Sequence, residues 1–183
     1  MPRQPDPQLE SRILDAATKL FLRGGEKALS MRLLARAART NTPAVYRRFR
    51  NRKEILRALL LRTQMNMLEV LEPCQSFPEA CQRTVEFIEK HHHEYQLISA
   101  GLFTRINEPR LTLELMKRRS VEWLGGTAED HTGLVLALWI MVHGAGTLLS
   151  SKAVPPAHEA QLRASFENAV RLLVANHTKL SQS

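Results

Sequence analysis

Apolar side chains recur at intervals of three and four residues along almost the whole chain, and strand signals are almost absent. Such spacing places the apolar residues on one face of a helix. Glycine pairs at 24–25 and 125–126 and the prolines at 155–156 interrupt the pattern, because glycine ends helices and proline cannot continue one. The sequence therefore predicts an all-α fold of nine helices.

Capping residues and breakers set the expected limits of these helices. Ser30 suits the N-cap of the second helix, Pro43 suits the first turn of the third, and Pro73 ends the fourth. Residues 76–79 and 127–130 each have the spacing of a capping box and predict helix starts. The expected spans are about 9–24, 31–38, 42–49, 52–72, 76–92, 94–104, 107–125, 127–151 and 157–177.

The basic residues are concentrated at the N-terminal end. Residues 1–65 contain 15 Lys/Arg and 5 Asp/Glu, a net charge of +10, whereas residues 66–183 contain 11 and 13, a net charge of −2. Lys and Arg displace the counterions of phosphates, so a concentrated basic patch indicates nucleic-acid binding. An anionic membrane surface is the alternative partner, but Phe21, Tyr46 and Phe49 are the only aromatic residues before position 77, and a membrane-surface helix needs more.

Residues 30–49 have the spacing of a helix-turn-helix motif: a short helix, the three-residue turn 39–41 and a second short helix. In the second helix Val45 and Phe49 are four positions apart and face the core together. Small residues at the leading end of the outer face let such a helix enter a major groove of DNA. A helical hairpin inside an ordinary bundle is the alternative interpretation. The residues left for the outer face are Thr42, Pro43, Ala44, Tyr46, Arg47 and Arg48.

Two stretches of this region resemble the DNA-binding signature of the TetR (tetracycline repressor) family of transcription regulators. They are residues 29–38, LSMRLLARAA, and residues 43–56, PAVYRRFRNRKEIL. The resemblance covers about residues 9–62 and includes the aromatic pair Tyr46 and Phe49. A weaker similarity, over residues 137–144, is to the penultimate helix of the family's regulatory domain.

Two positions depart from the family pattern. The family usually has glycine in the turn where this chain has Arg39, so the resemblance implies a positive φ at Arg39. It usually has serine at the cap of the recognition helix where this chain has Asn41, which caps a helix equally well.

The resemblance also implies which residues meet DNA. Phosphate contacts are expected from Ser30, Thr42, Tyr46 and Arg52, base or near-base contacts from Arg32, Thr42, Pro43 and Ala44, and either kind from Arg47 and Arg48.

The same resemblance implies the domain organisation. We expect a short arm over residues 1–8, the helix-turn-helix domain over 9–56, and an effector-binding and dimerisation domain over 57–183. The expected pocket residues are Met65, Phe87, Tyr95, Phe103, Met116 and Trp123. The expected dimer residues, on the last two helices, are Leu134, Leu138, Met141, Ala145, Leu148, Phe166 and Val170.

The implied function is that of a sequence-specific, homodimeric transcription regulator in the cytoplasm, a repressor that leaves a palindromic double-stranded DNA operator when a small-molecule effector binds. We expect no cofactor and no membrane partner. No catalytic motif stands out, so no enzyme activity is expected. One alternative is a DNA-binding regulator without a small-molecule ligand, controlled by a partner protein or by metal or thiol chemistry. A second alternative is a helical enzyme or carrier whose basic end is incidental.

Three further features have competing interpretations. His91, His92 and His93 suggest a metal site, but consecutive helical residues point about 100° apart, and a solvated helix end is favoured. Cys74 and Cys81 suggest a thiol switch whose geometry the sequence leaves open. Residues 133–149 are nearly all apolar, yet shorter than the roughly 20 residues that span a bilayer, so a helix buried on all sides is expected.

Overall fold

The structure, a computed structural model, describes residues 6–99 and 110–180. These residues form nine α-helices and a short 3-10 helix, Gly25–Ala28, and the part of the chain so described contains no strand. The prediction of an all-α fold with nine helices is confirmed. The helices are α1 (Leu9–Gly24), α2 (Met31–Ala37), α3 (Thr42–Arg48), α4 (Arg52–Leu71), α5 (Phe77–Lys90), α6 (His92–Ser99), α7 (Leu111–Leu124), α8 (Thr132–Ser150) and α9 (Pro156–Leu180).

The described residues divide into two compact units. We call residues 6–63 and 96–99 the N-terminal unit, and residues 64–95 and 110–180 the C-terminal unit. The division falls inside α4, between Thr63 and Gln64, so one uninterrupted helix contributes to both units.

The N-terminal unit closes around a small apolar core. Ile13 and Ala17 of α1, Leu34 of α2, Val45 of α3 and Ile55 of α4 are fully buried in it. Two short helices such as α2 and α3 are marginal on their own, because most helical stability comes from packing of an apolar face. Their stability therefore depends on this core, which fixes the orientation of α3.

The C-terminal unit is built on α8, which packs against α5 and α9. Gly146 makes the α5 contact possible, since a Cβ at that position would lie 2.5 Å from Cδ1 of Ile88. Arg163 of α9 donates two hydrogen bonds to Glu89 of α5, at 2.8 and 2.5 Å. The apolar core of this unit includes Phe77, Cys81, Val85, Leu138, Val142 and Val170.

The predicted start of the long eighth helix at residues 127–130 is wrong. Thr127 and Asp130 do form the reciprocal contacts of a capping box: Asp130 Oδ2 accepts from the Thr127 amide at 2.8 Å, and the Asp130 amide donates to Thr127 Oγ1 at 3.4 Å. These bonds close a separate turn, and α8 begins only at Thr132. The predicted start of the seventh helix at residues 107–109 lies outside the described residues.

By length and composition α8 could cross a membrane, with a mean hydropathy of 1.7 over its apolar window. One face, which includes Leu134, Leu138 and Val142, is buried within the C-terminal unit. The expectation of burial on all sides does not hold within one chain, because Ile140 on the other face is 64% exposed. An apolar stripe of α8 is thus left uncovered in the monomer.

Candidate nucleic-acid interface and effector-binding unit

The helix-turn-helix geometry is set by two side-chain caps and one strained residue. Ser30 Oγ accepts from the Leu33 amide at 3.2 Å, and Asn41 Oδ1 accepts from the Ala44 amide at 2.8 Å. Both predicted caps are confirmed, and each satisfies an amide that the helix itself leaves without a partner. The turn between them needs a left-handed residue, which is Arg39 with φ +53°.

The recognition helix α3 presents a mixed outer surface. Tyr46 is 52% exposed, and Pro43 and Arg47 are also exposed, whereas Thr42 is half-buried. The placement of Ala44 on the outer face is wrong, because its side chain is only 5% exposed. Ala44 is buried next to Val45 in α3, so its methyl group is turned away from solvent.

Two of the arginines expected at DNA are held by acidic residues or by backbone. Arg48 Nη2 donates to the Asp6 carbonyl at 3.3 Å, which connects the end of α3 to the start of the described chain. Arg52 lies 3.4 Å from Glu26 Oε1 and also donates to the Glu26 carbonyl at 3.3 Å. Local spacing could not predict these partners, because the contacts join residues 42 and 26 positions apart.

The other expected DNA contacts are solvent-accessible. Ser30 and Arg32 are both exposed at the N-terminal end of α2. With Tyr46, Arg47 and Arg52 they give the N-terminal unit a surface of donors and cations, which is the chemistry that phosphate oxygens and base edges require.

Comparison with known proteins agrees with this geometry. The sequence profile described as "Bacterial regulatory proteins, tetR family" matches residues 13–59, which include the whole motif. An uncharacterized HTH-type transcriptional regulator, YhgD of Bacillus subtilis (strain 168), is 34% identical over 126 residues. That alignment covers 64% of this chain and 66% of the relative, just under two thirds of its length.

The chain belongs to the TetR family. The curated relative is a transcriptional regulator, and such regulators are a class without enzymatic activity. Solved structures of low sequence identity share the fold. A TetR-like transcriptional regulator from Rhodococcus sp. RHA1 has 21% identity and a TM-score of 0.65, and the match covers 90% of this chain and 96% of the Rhodococcus chain. A TetR variant from Acinetobacter baumannii AYE, in complex with minocycline, has 17% identity and a TM-score of 0.65, covering 98% and 100%.

The six residues expected at an effector pocket of this TetR-family chain lie in different surroundings. Met65 is 47% exposed, and Phe87 is buried and stacked on His91 with ring centroids 4.6 Å apart. Trp123 packs edge-on against Phe77 at 5.0 Å. Met116 is partly buried against the core of the C-terminal unit, Tyr95 contacts His143, and Phe103 lies outside the described residues.

A polar cluster that sequence reasoning missed surrounds Tyr95. The hydroxyl of Tyr95, on α6, hydrogen-bonds to Nδ1 of His143, on α8, at 2.5 Å. The ring centroids of Trp139, one turn earlier on α8, and His143 are 4.5 Å apart. Cζ of Arg110 lies 5.2 Å from the centroid of the Trp139 ring. The spacing of Trp139 and His143, four apart, is the only local signal that places two of them on one helical face.

A surface groove of about 550 Å³ lies between the start of α8 and the end of α9. It is a second feature that sequence reasoning missed, and none of the six expected pocket residues lines it. Its lining residues are Glu129, Asp130, Gly133, Leu134, Ala137, Leu173 and His177.

Most of the residues expected at the dimer interface are buried in the chain's own core. Leu134, Leu138, Ala145 and Val170 are each less than 8% exposed, and Met141 and Phe166 are partly buried against the same core. Only Leu148, at 41%, is exposed. The exposed large apolar residues of α8 and α9 are Leu136, Ile140, Leu148 and Leu172.

The surroundings of Cys74, Cys81 and His91 bear on the suggested thiol and metal chemistry. Burial raises the pKa of the Cys81 thiol to about 12, and burial followed by the charge of Glu79 raises the pKa of Cys74. Both thiols are therefore protonated near neutral pH, which opposes thiolate chemistry. His91 lies 3.7 Å from Glu94, and the described residues contain no group of three metal-ligating side chains.

Proposed function

We propose that this chain is a sequence-specific repressor that binds a palindromic operator as a homodimer and leaves it when a small molecule binds the C-terminal unit. The observation that carries the DNA-binding part is the outer face of α3. It exposes Pro43, Tyr46 and Arg47, and Arg32 of α2 is also exposed, within a segment of net charge +10 over residues 1–65.

The uncovered apolar stripe supports the homodimer. Leu136, Ile140 and Leu148 are spaced four and eight residues apart on α8, and Leu172 of α9 is 64% exposed. Burying four such side chains against a second copy removes apolar surface from water. This burial stabilises a dimer by about 25 cal/mol per Å², before the entropy lost on association is subtracted. A two-fold dimer then presents two copies of α3 to two half-sites.

Release by an effector requires two states with different affinities for it. A ligand lowers DNA affinity only if it binds the DNA-released state more tightly than the DNA-bound state. Helix α4 is the element through which we propose the change passes, because it is continuous from Arg52 to Leu71 and contributes to both units. Acting on the chromosome, the regulator would work in the cytoplasm.

The deciding experiment is selection of labelled genomic fragments at physiological salt, with an excess of unrelated competitor DNA. We expect a discrete palindromic site, bound by the parent and lost by Tyr46→Ala and Arg32→Ala. Arg36→Ala is the matched control, because Arg36 is an exposed arginine of the same motif with no predicted contact. Binding that the competitor abolishes would overturn the proposal and leave only an electrostatic patch.

A further inference from the structure

Helices α4 and α7 of the C-terminal unit are joined by two side-chain hydrogen bonds. Oε1 of Gln64, inside α4, accepts from the amide of Leu111, the first residue of α7, at 2.7 Å. Nη2 of Arg119, in the second half of α7, donates to the carbonyl of Glu72, directly after the last residue of α4, at 2.6 Å. Each helix therefore supplies one side chain to the contact.

The two bonds have the same register. The bonded residues are 47 positions apart in both, and Gln64 and Glu72 are eight positions apart, as are Leu111 and Arg119. Eight residues rise about 12 Å along an α-helix, so α4 and α7 run in the same direction with two well-separated attachment points. One hydrogen bond would leave a helix free to turn about that point, whereas two separated bonds fix its orientation.

Both backbone groups lie at helix ends, where the helix itself offers no partner. The first amides and the last carbonyls of an α-helix need a partner from elsewhere. Gln64 is only 2% exposed, so water competes weakly for its bond to Leu111. The Arg119 guanidinium places a cation at the C-terminal end of α4, where the helix dipole is negative. Both bonds are therefore favoured while α4 lies on α7.

Further contacts keep the Arg119 guanidinium in place. Nη1 donates to Oε2 of Glu122 at 2.6 Å, and Cζ lies 6.0 Å from the centroid of the Trp123 ring. Its Nε is buried and, within the part of the chain that the structure describes, has no hydrogen-bond partner. A buried N–H without a partner opposes folding. The bond to the end of α4 explains the position of this side chain better than stability alone.

We propose that Arg119 is a positioning residue for operator binding, which together with Gln64 fixes the orientation of α4 on α7. Arg119 acts through α4, which begins at Arg52 in the N-terminal unit. A dimer must hold two recognition helices at the spacing of two half-sites, and a helix whose orientation is already fixed loses less freedom on binding. The inference rests on the proposed function in taking the DNA to be an operator bound by a dimer.

Amide hydrogen exchange of the full-length protein, measured by NMR at Leu111, tests whether the two bonds act together. Gln64 is the partner of this amide, so its protection reports whether α4 stays on α7. We expect Arg119→Met, which keeps a long apolar side chain, to lower this protection at least tenfold, because each bond holds the partners of the other close together. Arg119→Lys should restore part of the protection.

Two controls separate this effect from a general loss of stability. Arg118→Met, at the neighbouring arginine whose side chain is 65% exposed, should leave the protection of Leu111 unchanged. Amides inside α5 should keep their protection in Arg119→Met, whereas a general destabilisation would lower it by the same factor as at Leu111. Circular dichroism checks that each variant is folded.

Operator affinity, measured by fluorescence anisotropy, tests the positioning role. We expect Arg119→Met and Gln64→Leu each to weaken operator binding at least threefold, and the double variant to bind no more weakly than the weaker single variant. Losing either bond already frees the orientation of α4, whereas two independent contributions would multiply.

Unchanged protection of Leu111 in Arg119→Met would overturn the inference, because the two bonds would then be independent. Parental operator affinity in both single variants would overturn the positioning role, even if the protection falls. If no discrete operator is found, the proposed function fails and the positioning role fails with it. The exchange experiment needs no DNA, so it still decides whether the two bonds act together.

Discussion

Arg39 is strained, because the turn requires a backbone conformation that glycine adopts more easily than arginine. A non-glycine residue with φ +53° lies in the left-handed region, which costs about 1–2 kcal/mol. Arg39→Gly removes that cost but also raises the conformational entropy of the unfolded chain, which offsets about half of the gain. We expect a net increase of about 0.5 kcal/mol in the free energy of unfolding, measured by urea denaturation. The matched control is Arg36→Gly inside α2, which should destabilise by about 1 kcal/mol; equal effects of the two variants would contradict this account.

Glu26 competes with DNA phosphate for Arg52. With the guanidinium 3.4 Å from the Glu26 carboxylate, a phosphate must displace that carboxylate before it can bind. We therefore expect Glu26→Gln to tighten operator binding about two- to tenfold and to steepen the dependence of log K on log salt by up to about one. Fluorescence anisotropy over a salt series measures both quantities. Glu10→Gln, an equal change of charge at an exposed position of α1, controls for net charge, and an equal effect there would rule out the competition.

His143 makes stability depend on pH. Because its folded-state pKa of about 4 lies below the ordinary value of 6.5, the unfolded state gains a proton first as the pH falls. The contribution is fully present above pH 6.5 and is lost between pH 6.5 and 4. We expect this loss to be about 2 kcal/mol, allowing for the partial exposure of the ring. Urea denaturation at pH 7, 5.5 and 4.5 measures it, and His143→Gln should flatten the slope; an unchanged slope would show that other groups cause it.

Among the helices, the contact between α5 and α8 depends on the absence of a side chain. A Cβ at Gly146 would lie 2.5 Å from Ile88 Cδ1 and 3.0 Å from its Cβ, so neighbouring atoms must move. We expect Gly146→Ala to lower the free energy of unfolding by about 1–3 kcal/mol, as overpacking does. Gly133→Ala is the control, since nothing lies within 4 Å of that Cβ, and it should stabilise α8 by about 0.5–1 kcal/mol. If Gly146→Ala instead raised the free energy of unfolding, α5 and α8 would have to move apart readily to make room for the Cβ, which would contradict this account.

Helix limits could be predicted wherever a local signal determines them. The Ser30, Asn41 and Ser76 side chains all accept from an amide three residues on, and each begins a helix as expected. The signal at residues 127–130 was equally strong, but its hydrogen bonds are those of a turn, and spacing alone cannot distinguish the two. Ala44 shows a similar limit, because its burial is decided by tertiary packing and not by its position in the motif.

The sites were less predictable than the helices. The TetR signature identified α3, but the partners of Arg48 and Arg52 are distant in sequence. In the C-terminal unit, Tyr95 was among the expected pocket residues, but its hydrogen-bond partner His143, 48 positions away, was not. Contacts between remote helices leave no periodic pattern in a single sequence.

For the whole molecule, the apolar stripe of α8 and α9 predicts how the oligomer can be broken. Ile140→Glu or Leu172→Glu places a carboxylate where each chain exposes an apolar side chain, and burying that charge in an interface is costly. We expect either variant to be monomeric by analytical ultracentrifugation at concentrations where the parent is a dimer, and to bind a palindromic operator at least tenfold more weakly. Leu61→Glu, at a residue of α4 that is 49% exposed, is the control. A dimer that survives both changes would place the interface elsewhere.

Gln64 has a consequence for how α4 can move. Its side chain is 2% exposed, and its Oε1 accepts from the Leu111 amide at 2.7 Å, so the middle of α4 caps the first turn of α7. If the two helices separated by a gradual slide, this bond would stretch while both groups stayed away from water, at about 1–3 kcal/mol for an unsatisfied buried group. A small displacement of α4 from α7 would therefore incur most of the cost of breaking the bond, while water could not yet replace it. Gradual motion is unfavourable for this reason. We therefore expect α4 either to move together with α7 or to lose this hydrogen bond in a single step. The contact would then separate only above a minimum force or binding energy.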